Sequence, residues 1–206
     1  KAEELLQRAL TIDVSKVGAG RMAYALLCNA RGGIVDDLTI YRFQRGGFLI
    51  VCNPSTRLRV LEVLKGEARG YDVETEDSTF ETAQLAVQGP RSARVVEGLL
   101  GVDAPGMRWF SGLELKLNGV RAVLTRSGYT GEDGFELIIW SWEEGFLSRL
   151  WEGILRLNTE PCGAEARDLL RLEAAYPLHG QDMDEETTPV EARLTHAVDL
   201  SKPRFL

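Results

Sequence analysis

Cysteine and histidine are scarce in this chain. The three cysteines, Cys28, Cys52 and Cys162, are odd in number and far apart, with no C-x-x-C pair and no histidine at ligand spacing. That argues against both a disulfide framework and a zinc site, and suits a reducing compartment. The two histidines, His179 and His196, lack a serine or cysteine partner in a nucleophile motif, so a hydrolase triad gains no support and His179 reads as structural. Positive charge is in deficit. Lys and Arg number 24 against 31 Asp and Glu, a net of −7, and the basic residues are scattered rather than gathered into a stripe that could track phosphates. Nucleic acid and anionic membrane surfaces are therefore not expected partners. No apolar run approaches the length of a membrane-spanning helix, and the first residues read as a helix rather than as a basic leader before an apolar core. A soluble protein is expected. Low-complexity tracts and a detectable internal period are also missing.

The 206 residues present suffice for one large domain or two small ones. Residues 2–10 carry Leu5, Leu6 and Ala9 at helical spacing, and Gly18-Ala19-Gly20 follows as a connector, since no apolar strand precedes it and no helix pattern follows. Residues 21–29, 34–43 and 48–52 predict a three-stranded meander. Asn53-Pro54 reads as a cap with proline in the first turn of a helix that buries Leu58, Leu61, Val63 and Leu64. Residues 71–75 and 82–87 predict two more strands, and Gln88-Gly89-Pro90 opens a helix through Val95, Val96, Leu99 and Leu100. Residues 113–117 alternate cleanly, Asn118-Gly119 is a strong hairpin signal, and residues 120–126 return. A strand over 135–140, a helix with Leu147, Leu150, Trp151, Ile154 and Leu155 on one stripe, and a last helix over about 164–175 complete the pattern. Meanders interrupted by helices, without regular parallel crossovers, predict an α+β fold of mostly antiparallel sheets with interspersed helices. The order is compatible with two intertwined α+β subdomains, about residues 1–110 and 111–206.

Chemistry concentrates in four places. In the first hairpin, around Ala30-Arg31-Gly32-Gly33, Asp36 and Asp37 lie side by side in an apolar strand and must point to opposite faces. The inward acid needs a donor, a cation or a ligand, because burying an unpaired carboxylate costs several kcal/mol. An ordinary Asp-Asp turn on a sheet edge is the equal alternative on this segment alone. The second place is Arg126-Ser127-Gly128-Tyr129-Thr130-Gly131-Glu132-Asp133-Gly134-Phe135-Glu136, which joins two strands with glycines every third residue. A phosphate loop needs a helix to follow and a strand follows here, so this is a loop that lets backbone approach a flat ligand, or a long connection with solvated acids at Glu132 and Asp133. Glu136 falls early in an apolar strand, where it either accepts paired donors from an amidine-like group such as a pterin edge or faces solvent. Third, Arg167, Arg171 and Ala174 share one side of the last helix while Leu169, Leu172 and Ala175 bury another. The two guanidinium groups serve ligand carboxylates or structural ion pairs. Fourth, Asp182-Met183-Asp184-Glu185-Glu186 lacks the glycine and distant Glu of a calcium loop, and Thr188, Pro189 and Glu191 make a capping box that marks a helix start.

Taken together, these motifs resemble the folate-binding region of the aminomethyltransferase family, the T-protein of glycine cleavage. The likeness runs from residues 27–41 through Gln88-Gly89-Pro90, residues 126–137 and 163–174, to Leu178-His179-Gly180-Gln181-Asp182-Met183-Asp184-Glu185, nearly the whole chain in family order. The resemblance implies a folate-binding T-protein-like fold and transfer of a one-carbon unit from the aminomethylated lipoyl arm of H-protein to tetrahydrofolate, with release of ammonia. It implies that Asp37 is the carboxylate beside the reacting folate nitrogens, able to take a proton and to stabilise the cation formed as ammonia leaves. It further implies that Glu136 and Arg167 read the pterin, that Tyr24, Tyr41, Asn53, Tyr129 and Tyr176 line the folate cavity, and that Asp36 supports. Lipoylated H-protein and tetrahydrofolate are the implied partners, in the cytoplasm or, in a eukaryote, the mitochondrial matrix.

This sequence departs from the family pattern in three ways. Family members begin earlier and carry a C-terminal β-domain that helps close the folate cavity, so a fragment of a longer chain is expected. Arg193-Leu194-Thr195-His196 stands where the family usually has small residues and a tryptophan. Folate-binding relatives that maintain iron–sulfur clusters carry a Lys-Gly-Cys-Tyr type motif near residues 178–182, and this chain has none. The remaining alternative is the folate region of a flavin-linked demethylase of the dimethylglycine or sarcosine type.

Overall fold

The computed structural model describes residues 1–202. The chain divides into two compact units: Lys1–Asp77 with the described residues from Pro177 onward, and Ser78–Tyr176. The expected boundary near residue 110 is thus corrected. Residues 83–88 pair with a strand 50 residues downstream, so everything from residue 78 to residue 176 belongs to one sheet and its helices.

In the first unit, α1 (Ala2–Ala9) precedes the antiparallel meander β1 (Met22–Cys28), β2 (Ile34–Arg42) and β3 (Phe48–Val51), and α2 (Arg57–Glu67) follows. The alternation of β1 and β2 sends Ala25, Leu27, Leu38 and Ile40 into one core with Leu6, Leu10, Val60 and Leu64. The opposite face buries Leu26, Cys28 and Ile34 beneath Met183, Leu194 and Ala197 of the returning C-terminal segment. That segment is locked to the hairpin turn. Ile34 N donates to Asp184 O (3.1 Å) and Thr187 O (3.0 Å), Asn29 Nδ2 donates to Glu185 O (2.8 Å), and a Cβ on Gly33 would lie 1.8 Å from Glu185 O. Gly33 is therefore required by close approach, whereas Gly32 supplies the positive φ of the turn, +85°.

The second unit holds β4 (Ala83–Gln88), α3 (Ser92–Leu100), β5 (Gly112–Leu117), β6 (Val120–Thr125), β7 (Gly134–Ile139), α4 (Glu144–Leu155) and α5 (Ala164–Glu173). Its sheet runs β4-β7-β6-β5, antiparallel throughout. Val96, Leu124, Phe135, Leu137, Ile139 and Phe146 form its core. Asn118 and Gly119 both take positive φ, 50° and 88°, as a tight hairpin of this type demands.

Several local expectations are corrected. Residues 71–75 form no strand, because Asp72, Glu74 and Glu76 leave too little apolar surface to hold an edge. Helix α2 starts at Arg57 rather than at Pro54 and leaves Leu58 68% exposed, since the Asn53 side chain is committed to carboxylates and only its carbonyl accepts, from Thr56 Oγ1. The capping box forms, with Thr188 N donating to Glu191 Oε2 (2.8 Å) and Glu191 N to Thr188 Oγ1 (3.3 Å), but the left-handed Arg193 (φ 58°) ends it within a turn. On α5 the faces are reversed. Arg171 is buried while Leu169 and Leu172 are exposed, because the guanidinium is satisfied locally, donating to Asp168 Oδ1 (2.7 Å) and Tyr176 O (3.2 Å).

Candidate functional site

The eight residues assigned from sequence fall on both units. Asp37, Tyr24, Tyr41 and Asn53 lie on the first; Glu136, Arg167, Tyr129 and Tyr176 lie on the second.

On the first unit, the β1–β2 register pairs Leu26 with Asp37 and Leu27 with Asp36, so the two acids leave the sheet on opposite faces, as strand geometry requires. Asp36 is fully buried above the Leu38 and Ile40 core, and Asp37 is half-buried on the face of the C-terminal segment. Tyr24 Oη donates to Asp37 Oδ2 (3.0 Å), and the Tyr24 ring stacks on His196 with centroids 6.2 Å apart. Asn53, just past β3, serves both acids: its Nδ2 lies 2.8 Å from Asp36 Oδ1 and 2.9 Å from Asp37 Oδ1, and its backbone N–H donates to Asp36 Oδ2 (3.1 Å). Neither carboxylate has an ion pair among the described residues. The inward acid is thus met by neutral donors rather than by a cation.

The electrostatics follow from this arrangement. Burial pushes the Asp37 carboxyl above the usual range, opposed by the donors Tyr24 and Asn53 and more weakly by His179. Burial also pushes Asp36 up, opposed by Asn53 and Thr56 and reinforced by the negative charge of Asp37. An acid with a raised proton affinity and an accessible edge is the kind of group that can accept and return a proton. Tyr24, Asp37 and Asn53 therefore form one cluster. Tyr41 stands apart: it is 2% exposed and packs edge-on against Phe43, which places it in the packing and leaves it no accessible ring face. His179 acts structurally, its Nε2 lying 3.0 Å from Ile34 O.

On the second unit, Glu136 is half-buried on β7. Its carboxylate accepts from Gln84 Nε2 (2.7 Å) and from the buried Ser127 hydroxyl, with no ion pair among the described residues. Arg167 is exposed on α5 and makes no ion pair with Glu136. Tyr129 and Tyr176 stack with centroids 5.8 Å apart. Asp133, expected to be solvated, is instead held by Arg126 in two parallel bonds of 2.8 Å, with Arg126 Nη1 also donating to Pro105 O and Met107 O.

The glycine spacing of the Arg126–Glu136 stretch has an internal cause. A Cβ on Gly128 would meet Gln88 Oε1 at 1.9 Å and one on Gly134 would meet it at 2.0 Å, while one on Gly131 would meet Ala174 Cβ at 2.6 Å. The Gln88 amide fills the space between them, donating to Ser127 O and Phe135 O (both 3.2 Å) and accepting from Thr130 Oγ1 (3.2 Å). Room for Gln88, rather than room for a flat ligand, explains two of the three glycines. Sequence reasoning missed the roles of Gln88, Gln84 and Ser127, and the Asn53 bridge. For Gln88 the signal was there, as a polar residue ending an apolar strand opposite glycines at fixed spacing.

Comparison with known proteins agrees with this architecture. Residues 1–202 match the GCVT N-terminal domain family. An aminomethyltransferase of Geobacillus sp. (strain WCH70) is 44% identical over 202 residues, 96% of this chain and 54% of the relative. One of Rubrobacter xylanophilus is 43% identical over 202 residues, 98% of this chain and 53% of the relative. The crystal structure of the glycine cleavage system aminomethyltransferase T from Bartonella henselae superposes with a TM-score of 0.86 at 35% identity, covering 98% of this chain and 55% of that one. The chain thus spans about half the length of the relatives it matches. With two α+β units, meander sheets and a sequence match over residues 1–202, the chain belongs to the GCVT N-terminal domain family of aminomethyltransferases.

Proposed function

We propose that this chain is the folate-binding part of a glycine-cleavage aminomethyltransferase, which moves a one-carbon unit from the aminomethylated lipoyl arm of an H-protein to tetrahydrofolate and releases ammonia. The observation that carries the reading is Asp37, a half-buried carboxylate with raised proton affinity and no ion pair among the described residues, oriented by one donor on each oxygen. Each of its oxygens keeps a lone pair for a further donor, so the residues present fit a folate N–H at this point. Tetrahydrofolate supplies the nitrogen nucleophiles that take up the one-carbon unit. Asp37 accepts the proton those nitrogens lose, and its negative charge stands beside the positive charge that develops as ammonia departs. Tyr24 and Asn53 fix its two oxygens. Glu136, oriented by Ser127 and Gln84, retains acceptor capacity for the amino and ring N–H groups of a pterin, and the exposed Arg167 is its proposed companion in that recognition. Tyr129 and Tyr176 offer flat apolar surface. Among the described residues, no helix is long and apolar enough to cross a membrane. The cytoplasm, or a mitochondrial matrix in a eukaryote, is the proposed setting.

The test incubates the native full-length protein with aminomethylated H-protein and follows ammonia with and without tetrahydrofolate. Release that depends on tetrahydrofolate is expected. Asp37→Asn should lower it by about 10²-fold or more while leaving tetrahydrofolate affinity by calorimetry within about 3-fold. Unchanged turnover in that variant removes Asp37 from the mechanism, and wild-type ammonia release indifferent to folate removes the reading.

A further inference from the structure

Asp36 is the only fully buried carboxylate among the described residues, and the proposed reaction gives it no task. It cannot meet a ligand on the Asp37 side, because it leaves β2 on the opposite face, over the core. Two of its contacts go to one residue, however. Asn53 N–H donates to Oδ2 and Asn53 Nδ2 to Oδ1, and that same Nδ2 also reaches Asp37 Oδ1 (2.9 Å) and Asp37 O (3.2 Å). A carboxamide nitrogen carries two hydrogens, so one NH2 group spans both acids. With the amide turned over, its oxygen would face two carboxylates. The charge and double grip of Asp36 therefore select the orientation in which Asn53 donates to Asp37.

We infer that Asp36 is a positioning residue for one-carbon transfer, acting through the Asn53 amide to hold the Asp37 carboxylate in its working orientation. This role rests on the aminomethyltransferase reading of Asp37. The arrangement follows the logic by which a buried carboxylate orients the working group of a catalytic triad through an intermediate side chain, here a neutral amide. It also has an electrostatic consequence. Asp37 is faced by Tyr24 from β1, by Asn53 and by His179 from the C-terminal segment; Asp36 is faced by Asn53, Thr56 and Cys52. Within this set the two acids are the groups that repel as anions: the charge of Asp37 raises the proton affinity of Asp36, and because the repulsion is mutual an ionised Asp36 raises that of Asp37 in turn. Removing the charge of Asp36 lets Asp37 lose its proton at lower pH.

The experiment compares wild type, Asp36→Asn, Asn53→Ala and the double variant in the native full-length protein, measuring kcat, KM for tetrahydrofolate and the pH profile of ammonia release. Asp36→Asn is expected to lower kcat about tenfold or more, to leave KM within about 3-fold, and to move the acid limb to lower pH. In the Asn53→Ala background the same change should add less than about 2-fold, because the connection it acts through is already gone. A folded Asp36→Asn protein with wild-type kcat and acid limb overturns the inference, as does full multiplicativity of the two effects. Carbon-13 NMR titration of aspartate carboxyls gives a readout independent of turnover, in which the Asp37 signal should titrate at lower pH in Asp36→Asn and an unmoved signal counts against the inference. If Asp36→Asn fails to fold, Asn53→Ala decides alone: a wild-type kcat there overturns it. Wild-type protein whose ammonia release ignores tetrahydrofolate fails the parent reading instead, which keeps the two failures apart.

Discussion

Replacing Gly134 with alanine puts a Cβ 2.0 Å from Gln88 Oε1, a distance that no small adjustment can absorb. The Gln88 amide must leave its slot. It then gives up three hydrogen bonds of 3.2 Å, to Ser127 O, Phe135 O and Thr130 Oγ1. At about 1 kcal/mol net for each, and less for bonds this long, the loss is about 2–3 kcal/mol. Residual crowding adds about 1 kcal/mol, so Gly134→Ala should cost about 3 kcal/mol. Gln88→Ala forfeits the same bonds without the crowding and should cost about 2–3 kcal/mol. The double variant is the discriminating case. Once the amide is gone the new Cβ fits, so the pair together should cost about 3 kcal/mol rather than the sum of about 5–6, a coupling of about 2–3 kcal/mol. Urea denaturation followed by tryptophan fluorescence suits this unit, because Trp109, Trp140, Trp142 and Trp151 all lie within Ser78–Tyr176. Additive penalties, or a Gly134→Ala cost below about 1 kcal/mol, would refute the account of the glycine spacing.

Gly33→Ala should be worse tolerated than Gly134→Ala, because its Cβ meets a backbone carbonyl, Glu185 O, at 1.8 Å and no side chain can swing clear. The expected outcome is a first unit destabilised by about 3 kcal/mol or more, with hydrogen exchange of the Ile34 amide accelerated; wild-type protection of that amide contradicts the packing. Glu136→Ala should weaken tetrahydrofolate binding in calorimetry by about tenfold or more, since an oriented charged acceptor is lost, and an unaltered affinity would put the pterin elsewhere.

The sequence carries the sheets well, because their signals are local. Alternation in residues 113–117 together with Asn118-Gly119 fixes one hairpin, the apolar runs around Asp36-Asp37 fix the first meander, and all three hairpin pairings occur as read. What was hidden depends on contacts distant in sequence. The Gln88 amide sits between residues 127 and 135, roughly 40 positions away, so the glycine triplet looks like a ligand loop until its occupant is seen. On α5 a period-counting reading buries the leucines, yet Arg171 is the residue taken inside, where Asp168 neutralises it and the Tyr176 carbonyl accepts a second hydrogen bond. The Asp36-Asp37 pair was legible as opposed carboxylates, whereas the Asn53 that joins them was not. It reads as a helix cap, and nothing short of the β2–β3 pairing brings it back to residue 36.

The same pair sets the pH dependence of stability, and its sign differs from that of an ordinary carboxylate. Asp36 and Asp37 have folded-state proton affinities above the unfolded value of about 3.9, so between that pH and their folded values the native state binds more protons than the unfolded chain. Their contribution is complete below the unfolded value and is lost as pH rises through the folded one. Asp199 runs the other way. Lys16 at 2.8 Å and the Ser201 hydroxyl bring its carboxyl down to about 2, so its contribution is present above the unfolded value and is lost as pH falls through about 2. Asp199 N–H also ties the C-terminal segment to Thr11 O (2.9 Å), so acid should release that segment while the β1–β2 core holds. Hydrogen exchange separates the two. Protection of β1–β2 amides should decline as pH rises above the unfolded value of about 3.9 in wild type, after correction for intrinsic exchange, and Asp36→Asn should flatten that decline. Asp199→Asn should abolish the acid-side release and leave the β1–β2 decline in place. A chain that keeps two carboxylates where neutral pH works against their burial accepts lower stability at that spot, which is the expected signature of a group retained for its proton chemistry. An unchanged decline in Asp36→Asn would locate the titrating group elsewhere and remove that argument.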